Sequence, residues 1–274
     1  MKRNLLALAV GVAFVLPMVA QAAPTVYGRL NLSVDYMDVD AGTKTDGGWA
    51  LNSNASRVGI KGNEKLTDEL TAVYKAEWGI QGDTTAGDLN ARERYIGLKH
   101  YQLGTVRLGH IDSPFKNAED SVDVFNDHVN LDMEKFLYGQ NRLSNSINYV
   151  SPKFLDVFGA NISFMPGEKA TGTGNCGAAC ENHLADAYSA AFSYEDDSLY
   201  LSVAMDKEVT EMDAVRVNAR YKMNELTLSG MYQTAENSFS ASNEQESFVL
   251  SASYNMDKWT ARAEYLQSNK ETFN

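Results

Sequence analysis

DAVRVNARYKM, residues Asp213 to Met223, is the stretch that decides the fold class. Apolar side chains recur at every second position, so that Val215, Val217 and Ala219 fall on one face of an extended chain. The opposite face carries Arg216, Asn218, Arg220 and Lys222. A period of two is typical of a β-strand that has one apolar and one polar face.

The same alternation continues outward from this stretch along the chain. It recurs in segments of about 8 to 12 residues separated by turn residues, and we count about thirteen of them. Clear examples are Leu30 to Tyr36, Leu70 to Ile80, Leu143 to Val150, Tyr188 to Tyr194, Leu199 to Met205, Leu226 to Gln233, Ser247 to Met256 and Trp259 to Gln267. The sequence therefore predicts an all-β fold of antiparallel strands.

The charges on the polar faces separate two architectures. In a soluble sandwich the apolar faces pack inward, whereas in a membrane barrel they face lipid and the polar faces line a lumen. Long charged side chains lie in mid-strand, at Arg29, Lys75, Glu77, Arg216, Arg220, Arg262 and Glu264. Tight turns also alternate with long polar loops, and aromatic residues lie toward strand ends. Together these features favour a transmembrane β-barrel.

The N-terminus has the layout of an export signal. Lys2 and Arg3 precede an apolar run from Leu5 to Ala20, and Ala20-Gln21-Ala22 forms a small-x-small cleavage site. We predict a cleaved signal peptide at residues 1–22 and one continuous barrel domain at residues 23–274. Export from the cytoplasm follows from this arrangement.

Composition limits the partners. The formal net charge of -12 disfavours nucleic acid, because phosphate binding needs a clustered basic face.

Cys176 and Cys180 are the two cysteines, and in an exported chain we predict that they form a disulfide. A metal site would need more ligands than His183 adds, so we predict neither a metal nor a cofactor.

Two functions of other classes compete with a pore. An outer-membrane hydrolase would need a Ser–His pair, and the histidines (His100, His110, His128 and His183) lie outside any G-x-S-x-G motif. We therefore predict that the chain is not an enzyme. A binding or adhesion protein of the envelope, with a plugged lumen or a soluble sandwich, would differ from a pore in giving no stable conductance steps.

Several short strings, in their order and spacing, resemble the general bacterial porins of Gram-negative outer membranes over nearly the whole mature chain. The matching strings are APTVYGRL from Ala23, SRVGIKG from Ser56, RERYIGLK from Arg92, GTVRLG from Gly104 and NSINYVSP from Asn145. The resemblance implies a sixteen-stranded antiparallel barrel that assembles as a homotrimer in outer-membrane lipid and lipopolysaccharide. It also implies passive diffusion of small hydrophilic solutes and ions through a water-filled channel.

The resemblance also implies a third loop that folds into the lumen and narrows it. The segment from Asp112 to Asn141 lies at that position, breaks the alternation, and is expected to hold a short helical turn near Ala118 to Val124. Charge lining such a passage sets its selectivity. The basic wall maps to Arg29, Arg57, Arg92 and Arg142, with Arg94 two residues beyond Arg92 and taken to share its face. The opposing acids map to Asp120 and Asp123, followed by Asp127.

The number of strands differs from that of the family. About thirteen segments are present where the family has sixteen strands, and the chain ends just after the segment from Trp259. We expect a chain that lacks the last strands of the family pattern; a complete, smaller barrel of about 12 or 14 strands is the alternative.

Overall fold

The computed structural model describes residues 23–37, 48–84, 89–168, 176–177, 180–238 and 240–269, and the predicted signal peptide lies outside these residues. Regular structure in the described part is almost entirely β-strand, and no helix there has the length and apolar character needed to cross a membrane. The strands are β1 (Thr25–Arg29), β2 (Leu32–Met37), β3 (Gly48–Ser53), β4 (Arg57–Lys65), β5 (Leu70–Gly79), β6 (Asn90–His100), β7 (Gly104–Asp112), β8 (Arg142–Val150), β9 (Phe158–Met165), β10 (Ala187–Glu195), β11 (Leu199–Val209), β12 (Met212–Met223), β13 (Leu226–Asn237), β14 (Ser240–Met256) and β15 (Trp259–Ser268).

Thirteen of these strands form one antiparallel sheet in the order β1, β4, and then β5 to β15. The hairpin of β2 and β3 extends β1 and β4 past short interruptions, where the Asn54 amide donates to the Asn31 carbonyl. Short turns such as 101–103, 224–225 and 257–258 join strands at one end of the sheet, which we name the turn end. The opposite end is the loop end. The all-β, antiparallel prediction of about thirteen wall strands is confirmed.

Alternation along each strand separates two surfaces of the sheet. On β12, Ala214, Arg216 and Asn218 are buried, whereas Val215 and Val217 are about half exposed at 48% and 45%. The same pattern holds on β11, β13 and β14, where large apolar side chains are exposed on the outer surface. The inner surface is therefore the more polar one, which is the reverse of a soluble sandwich.

Residues 113–141, here the inward loop, connect β7 to β8 across the inner surface. A helix, α1 (Pro114–Asn117), begins the loop, because Ser113 accepts a hydrogen bond from the Lys116 amide and Pro114 occupies the first turn. A 3-10 helix at Met133–Lys135 has Asp132 as its N-cap. The helical turn expected near Ala118 to Val124 is therefore placed four residues too late, since the Ser-Pro cap starts the helix earlier.

Apolar side chains of the wall form a contact surface for the inward loop. Its Phe115 and Ala118 pack with Ala204, Met212, Ala214 and Ala235 of β11 to β13. Further along the loop, Val122, Met133 and Leu137 pack with Met231 and Val249 of β13 and β14. Apolar residues at these inner positions interrupt the polar face where the loop covers it.

Both edges of the sheet reach the same part of the inward loop. On β1, Arg29 Nη2 lies 2.6 Å from Asp127 Oδ2, and on β15 Glu264 Oε2 accepts a 3.2 Å hydrogen bond from the Val124 amide. A flat sheet of this many strands would be roughly 60 Å wide. Two edges that contact residues three positions apart therefore require the sheet to curl around the loop, as the wall of a barrel does.

Candidate functional site

A charged cavity lies between the inward loop and the wall formed by β1 and β4 to β6. Because the loop packs against β10 to β15, the open space is left on this opposite side. The cavity encloses about 670 Å³, and five cationic and six carboxylate side chains line it. Charges of both signs facing one small aqueous space make it the candidate site for interaction with polar solutes.

Asp127 is the acid that faces the basic wall. Its Oδ2 lies 2.6 Å from Arg29 Nη2 and 3.1 Å from Arg57 Nη2, so that one carboxylate holds two guanidinium groups from neighbouring strands. Its backbone has φ of 71°, a left-handed conformation that Asp tolerates better than most residues, and its amide donates to Asp132 at 2.7 Å. The sequence ranked this residue third among the acids.

Arg92 belongs to a chain of alternating charges on the same wall. Its Nε lies 2.7 Å from Glu77 Oε1, and Lys75 Nζ lies 3.5 Å from Glu77 Oε2 and 2.6 Å from Glu93 Oε2. Tyr27 donates a further 2.7 Å hydrogen bond to Glu77. The wall therefore carries its own acids, Glu77 and Glu93, which sequence reasoning did not assign to the site. Their mid-strand position on the polar face was the signal available.

Arg142 lies at the base of the inward loop. Its Nε is 2.8 Å from Asp112 Oδ1, and the same carboxylate oxygen is 3.8 Å from Lys116 Nζ on helix α1. The ladder between β7 and β8 pairs Asp112 with Arg142 directly. This contact joins the two ends of the loop, so Arg142 holds the entry to the loop rather than its tip.

Arg94 lies on the outer surface, not on the lumen face expected for it. The β5–β6 ladder shifts register between Ala76 and Trp78, and beyond this bulge Arg94 pairs with Ala76. It therefore shares a face with Ile96, an exposed outer residue. Because one extra residue in a strand reverses the side-chain alternation, Arg92 and Arg94 point to opposite sides although they are two residues apart.

The two acids that the sequence ranked first face other groups. Asp120 lines the same cavity but pairs with Arg220 of β12, on a different part of the wall from Arg29 and Arg57. Asp123 is buried and accepts hydrogen bonds from the amides of Phe125 and Met133, both at 2.9 Å. Burial raises the pKa of the Asp123 carboxyl to about 6. Asp123 thus orders the fold of the loop, and Asp127 is the acid directed at Arg29 and Arg57.

A fully buried arginine, which sequence reasoning placed on the lumen face without a role, holds the loop to the wall. Arg216 Nη1 lies 3.0 Å from Glu119 Oε2, and its Nη2 donates to the Tyr138 carbonyl at 3.1 Å and to Gln233 at 2.7 Å. The guanidinium also lies 4.3 Å from the centre of the Phe115 ring. Burial raises the pKa of Glu119 above its ordinary value even beside this cation.

The cysteines and histidines lie away from the cavity or have partners of their own. Cys176 and Cys180 are joined by a disulfide, with 5.0 Å between their Cα atoms. In the described ranges no cluster of His, Cys, Asp and Glu could hold a metal ion. One Ser–His contact exists, at 3.0 Å between Ser144 Oγ and His110 Nδ1, but no described carboxylate lies within 4.0 Å of that imidazole to orient it as a hydrolase requires.

Comparisons with known proteins agree with this architecture. A family model described as Gram-negative porin matches residues 7–273. Among curated proteins, major outer membrane protein P.IB of Neisseria gonorrhoeae is 26% identical over 215 residues, covering 74% of this chain and 56% of that protein. Outer membrane porin protein 32 of Delftia acidovorans is 28% identical over 252 residues, covering 85% and 69%.

A solved structure has the same fold. The anion-selective porin from Comamonas acidovorans superposes with a TM-score of 0.74 at 23% identity, over 90% of this chain and 79% of that one. The chain thus spans little more than half the length of the Neisseria relative and most of the porin superposed on it.

Proposed function

Because this chain belongs to the family of Gram-negative porins, proteins of the outer membrane, we propose that it forms a water-filled channel for passive diffusion of small hydrophilic solutes and ions. The observation that carries the proposal is the charged cavity between the inward loop and a wall whose outer surface is apolar. Lipid can cover the outer surface, while water and ions occupy the inner one. Such a channel performs no covalent chemistry, and its selectivity is a matter of width and local charge.

The constriction works through opposed charges. Asp127 on the inward loop faces Arg29 and Arg57 on the wall, and Arg92 and Glu77 extend the charged lining beside them. A field between the loop and the wall lets a polar solute align its dipole while it passes, and the side chains replace part of its hydration shell. An apolar solute leaves bulk water as well, but it has no dipole to align and makes no such contacts with the side chains. Small hydrophilic solutes are therefore favoured.

Passage of neutral sugars tests this function directly. The folded chain is placed in liposomes, and the rate of swelling is followed with sugars of increasing size. We expect swelling rates that fall steeply with solute size, because the volume of the charged cavity is only about 670 Å³. If liposomes containing folded protein swell no faster than empty ones for the smallest sugar, the channel proposal is rejected.

We also propose that the channel is a homotrimer embedded in lipid and lipopolysaccharide. Family membership supports this assembly, and so does Arg94, which is exposed on the outer surface and has no carboxylate within ion-pair distance in the described part of the chain. A cation on a lipid-facing surface is costly, by about 2–4 kcal/mol at the membrane midplane and less near the interfaces. Contact with a neighbouring subunit would remove that cost.

A further inference from the structure

A disulfide segment, here Cys176, Gly177 and Cys180, lies against the inner surface of the sheet at the loop end. Both cysteines are buried, and they pack with inner side chains of four neighbouring strands, β8 to β11: Leu143, Met165, Ala187 and Val209. The segment belongs to the connection between β9 and β10. A covalent crosslink is thus buried on the part of the wall where the inward loop begins and ends.

Two of these wall residues lie beside groups that hold the inward loop. Leu143 directly follows Arg142, which forms the ion pair at the base of the loop. Ala187 shares the buried face of β10 with Ser189, whose Oγ accepts a 3.1 Å hydrogen bond from the Phe115 amide. The disulfide segment therefore packs next to both ends of the loop.

The contact at Val209 is the most direct. The hydroxyl of Tyr138, near the end of the inward loop, lies 2.9 Å from the Val209 carbonyl and 3.0 Å from Asp206 Oδ2. The side chain of Val209 packs in the same buried cluster as the two cysteines. One residue thus contacts the disulfide segment through its side chain and the inward loop through its carbonyl.

The turn between β11 and β12 has an unusual backbone. Glu208, Thr210 and Glu211 have φ values of 56°, 53° and 65°, in the left-handed region that β-branched residues such as threonine rarely occupy. Such conformations persist where surrounding contacts enforce them. Tyr138 contacts this turn from the inward loop, and on its other side a Cβ at Gly177 would collide with the Glu211 carboxylate. The turn is therefore held between the loop and the disulfide segment.

Loss of this support should move the inward loop in one direction. One side of the loop packs against the strands behind it, and the other side borders the charged cavity. Across that cavity Asp127 attracts Arg29 and Arg57. A loop released from the strands behind it can therefore move only into the cavity, where it reduces the open cross-section.

We propose that the Cys176–Cys180 disulfide positions the constriction: it supports the 208–211 turn and, through Tyr138, holds the inward loop away from the open passage. The inference rests on the proposed channel function. The disulfide itself touches no solute and acts only through the turn and the loop. The chain with both cysteines as thiols therefore forms a channel that closes more often than the chain with the disulfide.

Single-channel recording in a planar bilayer measures the position of the loop as the ratio of time in low-conductance substates to time fully open. C176A/C180A removes the crosslink, and Y138F removes only the hydroxyl that reaches Val209 and Asp206. We expect each to raise the ratio about fivefold, the size of one net hydrogen bond. Because the disulfide acts through Tyr138, the combined variant should also show about a fivefold increase, whereas independent effects would multiply to about 25-fold.

Y200F is the matched control. The Tyr200 hydroxyl donates a 3.0 Å hydrogen bond to the Ala118 carbonyl, so it also holds the inward loop. Tyr200 and Val209 lie near opposite ends of β11, roughly 30 Å apart at the rise of a strand. Y200F should raise the ratio as Y138F does, but its effect should multiply with that of C176A/C180A.

G177A provides a second test that retains the disulfide and is used if C176A/C180A does not fold. Its methyl group displaces Glu211, so it should raise the ratio in the wild-type background and not in Y138F. Absence of any conductance from folded wild-type protein would reject the channel itself. Open channels of C176A/C180A, or of G177A in its place, with the wild-type ratio would reject the positioning role alone, and so would an effect that multiplies with Y138F.

Discussion

The guanidinium of Arg216 is buried between β12 and the inward loop, where it contacts Glu119, Tyr138 and Gln233. Removing one partner of a buried ion pair leaves the other charge without compensation, and such changes typically cost about 3–5 kcal/mol. Loss of the Arg216 contacts would weaken the attachment of the inward loop to the wall, because Glu119 and Tyr138 belong to the loop and Gln233 belongs to the wall.

We therefore expect R216M to lower the free energy of unfolding by about 3 kcal/mol or more. R216M combined with E119M should recover much of the loss, since an apolar pair of similar volume needs no charge compensation. Denaturant unfolding in detergent measures both. R220M is the control, because Arg220 is only partly buried beside Asp120 and Glu195. Equal stability of R216M and R220M would show that Arg216 does not hold the loop.

For Asp127 at the constriction, the prediction concerns ion selectivity. Since one carboxylate pairs with both Arg29 and Arg57, D127N should remove the negative charge that partly offsets these arginines and raise the anion-to-cation permeability ratio by about threefold. D120N serves as the control, because Arg220, the partner of Asp120, also lies 3.4 Å from Glu195 and keeps that carboxylate, so the loss of Asp120 should change the ratio less. Reversal potentials measure both variants, and an equal shift in the two would remove Asp127 from the constriction.

At this scale the sequence predicts some residues of the site and not others. Arg29, Arg57 and Asp127 are brought together as family resemblance suggests, whereas Asp120 and Asp123 are directed elsewhere. The position of an acidic residue along a loop does not determine which way its carboxylate points, because that direction depends on the local turns of the backbone. Arg94 shows the same limit in a strand, where one bulge reverses the face.

The inward loop is the element whose stability should respond to pH. Asp123 accepts two amide hydrogen bonds within it, and the charged groups that face this carboxyl are the acids Asp127, Asp132, Glu119 and Glu264. Burial raises the pKa of Asp123 to about 6 from an ordinary value of 3.8. A raised pKa means that the folded loop favours the neutral form.

The contribution of Asp123 to stability is thus fully present below pH 3.8 and is lost as pH rises through about 6. We expect the amides between Asp123 and Met133 to be better protected from hydrogen exchange at pH 4 than at pH 7, after correction for intrinsic rates. D123N, which stays neutral, should show much less difference between the two pH values. Protection that increases with pH in the wild type would contradict this assignment.

Elements are predictable to different degrees. The strands follow from alternation because their two faces meet different solvents, as β12 shows. In the sequence, the part of the wall that the inward loop covers could be recognised only from apolar residues on a polar face, at Met231 and Val249. Which loop would cover them depends on contacts more than 90 residues apart, such as that of Gln233 with Tyr138, and no local pattern reports such contacts.

The sheet as a whole curls around one loop and leaves an outer surface of large apolar side chains. Arg94 is the exception on the β6 part of that surface, next to His110 in the ladder. If a neighbouring subunit covers this face, R94E should lower the temperature at which trimers dissociate on a denaturing gel, and R94K should dissociate at the wild-type temperature. I96E, on the same strand and face, would report general damage to this surface.

If lipid covers the face instead, R94L should raise stability by up to about 2–4 kcal/mol, because it removes a charge from hydrocarbon. A stabilised R94L together with an unaltered dissociation temperature for R94E would therefore contradict a subunit interface at β6. The two outcomes separate because a protein partner can compensate a guanidinium and an acyl chain cannot.

Single-channel recording with one introduced thiol tests the channel and its constriction most directly. Asn126 lines the cavity on the inward loop, and the two native cysteines are joined in a disulfide, so N126C provides the one free thiol. We predict discrete conductance steps that fall by more than half when a bulky methanethiosulfonate reagent reacts with N126C, and steps that do not change for S198C at the turn end. Absence of steps from folded protein, or equal conductance of N126C before and after complete modification, would contradict it.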